Sequence, residues 1–317
     1  MASSTDKISV NLFDILSPHS LEDDGFRTFT PMVEPTEIDY ASQVRVARGA
    51  SYYDIIVLEG PYPHSVSVYT DKTMQLHLTA PLNDTSQFKL AWILECHEVH
   101  PPSRQLVIQV EEHYDYIFTF DEELLARGPK YVENLIGTTR ILDKAAALYK
   151  KTKNISLIAS KQNWCTGHKL RHEIVKNLDP SIEVDLWGKA YRPFPMGGKA
   201  QALAEYKYSI VVENSRGPKY FTEKIIDCFR TGTIPVYWGC PNIDKYFDIS
   251  GIIYFENIKE LNAVLPTLNA EDYAKRFESV KKNFELAKDW LSMDDRFARN
   301  LKKVLKEHDQ KISPDTV

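Results

Sequence analysis

Between Tyr206 and Gly239 the chain reads YKYSIVVENSRGPKYFTEKIIDCFRTGTIPVYWG. An apolar run is followed by a polar loop, an amphipathic stretch and a second apolar run. The polar residues collect at two points. Glu213-Asn214-Ser215-Arg216-Gly217 follows the first apolar run, and Thr222-Glu223-Lys224 opens the amphipathic stretch. If the apolar runs are parallel strands, the first point lies beyond a strand's carboxyl end, where open α/β sheets bind ligands. The second opens a helix, whose free N–H groups and roughly half a positive charge attract phosphate. A lysine in a first helical turn opposes that dipole. Lys224 is therefore best accounted for by an anion bound nearby, its bland alternative being a solvated surface lysine. A second cluster is Glu95-Cys96-His97-Glu98-Val99-His100. Two carboxylates and two imidazoles so close together could hold a metal. The spacing is not HExxH, however, and Pro101-Pro102 oppose a helix there. No DxD sequence of the kind that carries a metal-bound nucleotide occurs.

These groups must be placed by a globular scaffold. Hydrophobic residues make up 43% and charged residues 26% of 317 residues, which excludes a coiled-coil rod and a disordered chain. No apolar run approaches the roughly 20 residues of a membrane span. Acidic residues outnumber basic ones by 44 to 39, so a strongly basic nucleic-acid binder is not expected. Met1–Lys7 shows no basic segment leading into an apolar core, which points to a cytoplasmic protein. Cys96, Cys165, Cys228 and Cys240 form no CxxC pair and are expected as reduced thiols. Asn83-Asp84-Thr85 and Asn154-Ile155-Ser156 match the glycosylation pattern but are then idle.

Apolar patterning predicts strands at Lys7–Phe13, Asp54–Leu58, Met74–Thr79, Lys89–Glu95 and Tyr114–Phe120. Helices are expected near Glu122–Leu125 and Thr139–Lys150. The second half has a cleaner rhythm: strand Asn154–Ala159, helix Gly167–Leu178, strand Glu183–Trp187, short helix Lys199–Tyr206 and strand Tyr208–Val212. Helix Thr222–Arg230, with Thr222 as N-cap, then leads to strands Thr233–Tyr237 and Ile252–Phe255, and the rest is helical to Asp294–His308. Such alternation implies parallel sheets. The expected fold is α/β, two Rossmann-like domains facing a cleft. They cover residues 1–150 and 151–317 and join near Ile136–Lys153, with the last helix open to packing back on the first domain. The bland reading of Asp121 is a helix N-cap, that of the five tryptophans core or cleft wall, and that of Lys302–Lys311 a solvated helix face.

The Tyr206–Gly239 segment resembles the signature of the α-1,3/4-fucosyltransferases. The matching pieces are Tyr206-Lys207-Tyr208, Val212-Glu213-Asn214-Ser215, Tyr220-Phe221-Thr222-Glu223-Lys224 and Thr233-Ile234-Pro235-Val236-Tyr237-Trp238-Gly239. Phe221 stands where that family usually has Val or Ile. Upstream, Ser160, Asn163 and Arg171 resemble the family's S-x-N…R segment, and Asp185-Leu186-Trp187-Gly188 its D-x-(F/W)-G element. The resemblance covers about Asn154–Phe255.

It implies the GT-B architecture and a GDP-fucose donor, with no tightly bound cofactor and no divalent metal required. By position, Lys224 and Arg171 would contact the diphosphate, Glu223 would accept from the ribose hydroxyls, and Asn214 and Tyr220 would line the donor pocket. The bland alternative for Arg171 is a helix-surface residue. The family inverts the anomeric centre in one displacement, its base a glutamate at the end of an N-terminal-domain strand. That implies Glu95, with Glu98 as rival, while His97 or His100 would line the acceptor pocket or lie exposed. The implied partners are a nucleotide sugar and a glycan acceptor, in an α-1,3-type linkage, with no nucleic acid. Two alternatives stay open: the same fold and mechanism with another nucleotide-sugar donor, or a catalytically silent glycan- or nucleotide-binding protein.

Overall fold

The computed structural model describes residues 7–8, 10–13, 53–54, 58–59, 66–71, 86–99, 101–141, 143–194 and 198–312. The chain divides into two compact units, one of residues 1–135 with 292–317, the other of residues 136–291.

In the first unit, β1 (Lys7–Ile8) pairs antiparallel with β4 (Leu58–Glu59). The main sheet contains β2 (Val10–Phe13), β3 (Tyr53–Asp54), β5 (Val66–Thr70), β6 (Phe88–Trp92), β7 (Tyr116–Thr119) and β8 (Tyr131–Glu133), in the order β3-β2-β5-β6-β7-β8. Only the β2–β3 pair is antiparallel. The continuous burial of β5 is what a parallel strand covered on both faces requires. The expected strand Met74–Thr79, and residues 55–57 of Asp54–Leu58, lie outside the described residues.

Helix α1 (Pro102–Gln109) joins β6 to β7. Pro101-Pro102 do not merely bar a helix over the preceding residues; they start this one. A proline at the first helical position lacks only an N–H that would be unpaired anyway, and its φ is preset. Helix α2 (Glu122–Leu125) is capped by Asp121, which accepts from the Glu123 and Leu124 N–H groups at 2.9 and 3.2 Å.

The second unit carries an all-parallel sheet of β9 (Lys153–Ile158), β10 (Asp185–Trp187), β11 (Tyr206–Val212), β12 (Ile234–Trp238) and β13 (Ile253–Tyr254), ordered β10-β9-β11-β12-β13. Its helices are α3 (Thr166–Asn177), α4 (Gln201–Ala204), α5 (Glu223–Arg230), α6 (Ile258–Val264), α7 (Ala270–Lys275) and α8 (Phe277–Leu286). Leu157, Ile210, Val212, Val236 and Ile174 meet in its core. The strand order reverses between β9 and β11, and ligands of such sheets lie outside the carboxyl ends at that point.

Two expectations change here. Thr139–Lys150 is not a helix; only Asp143–Ala145 makes a 3-10 turn. The segment runs across α5 and is tied to it. Thr139 Oγ1 and Arg140 N donate to Asp227, each at 2.7 Å, and Ala147 N donates to Arg230 O. Beyond it, the Lys151 ammonium donates to the carbonyls of Ala204 and Thr231 and to Thr233 Oγ1. These bonds assign the segment to the second unit, so the division falls at Leu135/Ile136 and not at 150/151. Helix α9 (Met293–Ile312) belongs with the first unit, the packing back that the sequence leaves open. Phe297 stacks on Trp92 with centroids 4.1 Å apart, and Arg296 donates to Leu135 O. Among the described residues no helix is long and apolar enough to cross a membrane.

Candidate functional site

The second unit gathers the predicted donor residues around the end of β11. Glu213 is the first residue past that strand and is fully buried. Its carboxylate accepts from Thr222 N at 2.9 Å and Thr222 Oγ1 at 2.7 Å, with Lys224 Nζ at 3.2 Å. Thr222 is therefore more than the expected N-cap: it is clamped by Glu213 while it caps α5. Lys224 Nζ also donates to Thr222 Oγ1 at 2.9 Å and lies 3.7 Å from Glu223 Oε1. Burial pulls the Lys224 pKa down, but Glu213 and Glu223 outweigh it and the net shift is upward. Burial likewise pushes Glu223 up, yet Lys224, Arg140 and Lys199 bring it well below the usual carboxylate range. Both are ionised at neutral pH. The anion that Lys224's position calls for is thus met, in the protein alone, by Glu213.

Arg171 approaches the same loop from α3. Its Nε donates to Val212 O at 3.1 Å and Nη2 to Asn214 Oδ1 at 3.0 Å. It is buried, not a helix-surface residue. The close approach of α3 depends on Gly167. A Cβ there would stand 1.7 Å from Glu213 O, and Gly167 N donates to Asn214 O at 2.9 Å. Asn214 is held at both backbone and side chain. Tyr220 is 2% exposed, inside the unit beside this loop.

Several members of this site were not singled out from sequence. Glu213 belongs to the Val212–Ser215 motif piece, which by itself assigns it no role. Lys199 pairs with Asp227 at 2.6 Å and lies 4.0 Å from Glu223, so a second tier of charge backs the first. Asp227 follows Glu223 by four residues on α5, the spacing that places two side chains on one face. A carboxylate inside the apolar IIDCF run was the available signal. His168 is buried in the first turn of α3. Burial first, then Arg171 and Lys224, pull its pKa down to about 4. Its Nδ1 finds no partner among the described residues.

In the first unit, Glu95 lies three residues past β6 and is half-buried, as is Glu98. The loop is set by Asp71, fully buried just past β5. Its two carboxylate oxygens accept from Leu94 N at 3.1 Å and Glu95 N at 2.8 Å. His97 is exposed, and His100 lies outside the described residues. Among the described residues no three His, Cys, Asp or Glu side chains are placed to share a metal ion. Trp92, Trp187 and Trp238 are buried, whereas Trp164 is exposed on α3's leading edge.

Two parallel α/β units are the parts of a GT-B glycosyltransferase, and solved structures of that class share the fold. One is a sucrose-phosphate synthase from Thermosynechococcus elongatus, 10% identical, with TM-score 0.54 over 76% of this chain and 73% of that one. Residues 148–314 match the profile of glycosyltransferase family 10 (fucosyltransferase), C-terminal part. The chain belongs to that family. It is 30% identical over 204 residues to the α-(1,3)-fucosyltransferase FucT of Helicobacter pylori, covering 53% of this chain and 41% of the relative. It is 32% identical over 130 residues to the 3-galactosyl-N-acetylglucosaminide 4-α-L-fucosyltransferase FUT3 of Bos taurus, covering 39% and 34% respectively. The chain thus spans less than half the length of these relatives.

Proposed function

We propose that this chain transfers L-fucose from GDP-fucose to a hydroxyl of a glycan acceptor, with inversion and in an α-1,3-type linkage, as a step of glycan biosynthesis. The observation that carries the reading is the charged constellation Arg171–Asn214–Glu213–Lys224–Glu223. It stands at the switch point of the unit that matches the fucosyltransferase profile. The unit of residues 136–291 takes the nucleotide sugar, and the unit carrying Glu95 takes the acceptor.

The chemistry assigns the roles. As the bond from fucose C1 to the diphosphate oxygen breaks, negative charge grows on the leaving phosphate. Fixed cations there stabilise the transition state more than the ground state. Arg171 and Lys224 supply them, Arg171 with a planar fork suited to phosphate oxygens. Glu213 and Thr222 hold the Lys224 ammonium, so no reorganisation is needed when charge develops. Glu223, ionised beside Lys224, accepts from the ribose hydroxyls, while Asn214 and Tyr220 shape the pocket. Glu95 takes the proton of the acceptor hydroxyl as its oxygen attacks C1 from the opposite face. Glu98 is the rival base. No divalent metal is required in this scheme, because the cations on the diphosphate are side chains. The four cysteines, all buried and none in a disulfide, support a reducing compartment, in keeping with a cytoplasmic protein.

The test is titration of the purified chain with GDP, UDP, CDP and ADP, with and without magnesium, followed by transfer from GDP-fucose to a galactose–N-acetylglucosamine disaccharide. Selective GDP binding without metal, lost in Lys224→Ala, is expected. Preference for another nucleotide would keep the glycosyltransferase and remove fucose from the reading. Tight GDP binding with no turnover of any donor would favour a silent binding protein.

A further inference from the structure

A cavity of about 240 Å³ opens beyond the carboxyl ends of β12 and β13. Its walls include Arg216, Trp238, Gly239, Tyr254 and Glu256. We propose that this cavity is a pyranose subsite, in which a sugar ring lies on Tyr254 and Trp238 and its vicinal hydroxyls are read by the Arg216–Glu256 pair. The proposal rests on the glycosyl-transfer reading in naming a sugar, and it deepens that reading by giving one sugar ring a place and named contacts.

Size narrows the ligand first. The volume is several times the ~30 Å³ share of one water, and smaller than the roughly 300–1,000 Å³ of sites for drug-sized molecules. It suits one ring and not a nucleotide. Position is the second argument. Arg216 stands two residues after Asn214 in the same loop, so one loop serves the diphosphate residues and this cavity. Gly239 forms the floor between them. A Cβ there would come 2.7 Å from Glu213 Cγ and 2.4 Å from Tyr237 Oη, so only glycine lets the cavity wall press against the buried hub. Neighbouring strands lie about 4.8 Å apart, which sets the ends of β12 and β13 roughly 5–10 Å from the end of β11. That is about one sugar ring from a phosphate bound at β11.

Chemistry is the third argument. The Arg216 guanidinium meets the Glu256 carboxylate through both terminal nitrogens, with Nη2 to Oε1 at 2.6 Å. The pair is neutral as a unit, which disfavours a phosphate or a metal ion. It is not saturated: the guanidinium has more N–H donors, and the carboxylate more lone pairs, than the two contacts consume. Donors beside acceptors, both open to solvent, match a vicinal diol, in which each hydroxyl both donates and accepts. Tyr254 is 43% exposed, an unusual position for so large a ring, and it offers an apolar face to the ring hydrogens of a sugar.

The ring could be the donor's fucose or the first sugar of the acceptor, and the experiment separates them. Saturation-transfer NMR on the full chain with GDP present uses free L-fucose and the galactose–N-acetylglucosamine disaccharide as probes. Tyr254→Ala and Glu256→Gln are expected to weaken binding of one probe at least tenfold while GDP affinity stays within twofold. If the ring is the donor's, both variants raise the KM for GDP-fucose in its acceptor-independent hydrolysis. If it is the acceptor's, hydrolysis is unchanged and the KM for the disaccharide rises. Unchanged probe binding and unchanged KM values in both variants, or no probe signal in the wild type, would overturn the proposal. So would loss of GDP binding together with sugar binding in both, since the pair would then be a structural support. Probe binding that depends on Tyr254 in a protein that transfers no fucose would instead sink the fucosyl-transfer reading and leave the subsite standing.

Discussion

The two units solve one problem, fixing a carboxylate beyond a parallel strand, in opposite ways. Past β11, Glu213 is fixed by side chains from a short stretch of sequence: Thr222, nine residues on, and Lys224, eleven on. Past β6, Glu95 is fixed through its backbone by Asp71, 24 residues earlier and on another strand. In the first arrangement the charges are buried and mutually dependent. In the second, only the supporting carboxylate of Asp71 is fully buried, and Glu95 is left half-exposed. On the proposed function the contrast has a reason. A diphosphate would need fixed charge, which a locked network gives. A base that must meet an acceptor hydroxyl would need access, which a carboxylate steered from behind keeps.

The largest effect expected from this contrast is on Glu95. Glu95→Gln keeps the backbone contact to Asp71 and removes the base. The kcat should fall by about 10²–10⁴-fold, with GDP affinity unchanged by calorimetry. Glu98→Gln should change kcat less than threefold. Equal losses in the two variants would mean that Asp71 does not single out its neighbour, and the comparison would fail on the first unit's side.

On the second unit's side the expected loss is in stability as well as activity. Lys224→Ala leaves Glu213 buried without its ammonium partner, with only the two Thr222 hydrogen bonds remaining, and breaking a buried pair from one side costs about 3–5 kcal/mol. Urea unfolding should show a loss of that size together with loss of GDP binding. The double variant Glu213→Gln/Lys224→Met should regain most of the stability and none of the binding. If Lys224→Ala were as stable as the wild type, the network would not be locked.

The same contrast governs what the sequence could show. The second unit's strands, α5 and its Thr222 cap were legible because their periodicity, capping residue and charges sit within one short window. Lys224 was singled out for the same reason, whereas Arg171, well upstream of that window, was singled out only through the family resemblance. Lys199, Asp227 and the Thr139–Arg140 strap were not found, because they join through pairings some 30 to 90 residues apart that no local pattern encodes. That strap also explains the failed helix at Thr139–Lys150. Its residues have fair helical propensity, but tertiary hydrogen bonds to α5 override it. Asp71 was silent because β5 (Val66–Thr70) falls between the expected strands Asp54–Leu58 and Met74–Thr79, and only the pairing of β5 with β6 brings it to Glu95. The Arg216–Glu256 pair was equally silent at a separation of 40 residues.

His168 sharpens the picture of the locked site through pH. Its folded pKa, about 4, lies below its ordinary value of 6.5 because it is buried beside Arg171 and Lys224. The native state therefore binds fewer protons than the unfolded chain between about pH 4 and 6.5. Stability rises with pH across that window, is fully present above it, and is lost as the pH falls toward 4. A shift of this size corresponds to about 3 kcal/mol. Unfolding free energies of the wild type and His168→Gln, followed from pH 7 to 4, should diverge in slope by roughly that amount. Parallel curves would place His168 away from the cations.

Asp71→Asn probes the steered carboxylate and carries the smallest expected effect. Asparagine keeps one oxygen and can hold one of the two N–H groups. Its amide N–H₂ then faces the other, so one charge-assisted hydrogen bond is lost, worth about 1.5 kcal/mol. Because these two bonds join Asp71 to the backbone of Leu94 and Glu95, their weakening should be felt as misplacement of Glu95. The kcat should drop about tenfold, while GDP affinity and the KM for GDP-fucose hold. A purely structural role would lower stability and leave kcat per folded molecule intact. If kcat fell by the same factor in Asp71→Asn made on a Glu95→Gln background, Asp71 would be acting elsewhere. A double variant no slower than Glu95→Gln alone would tie its effect to that one carboxylate.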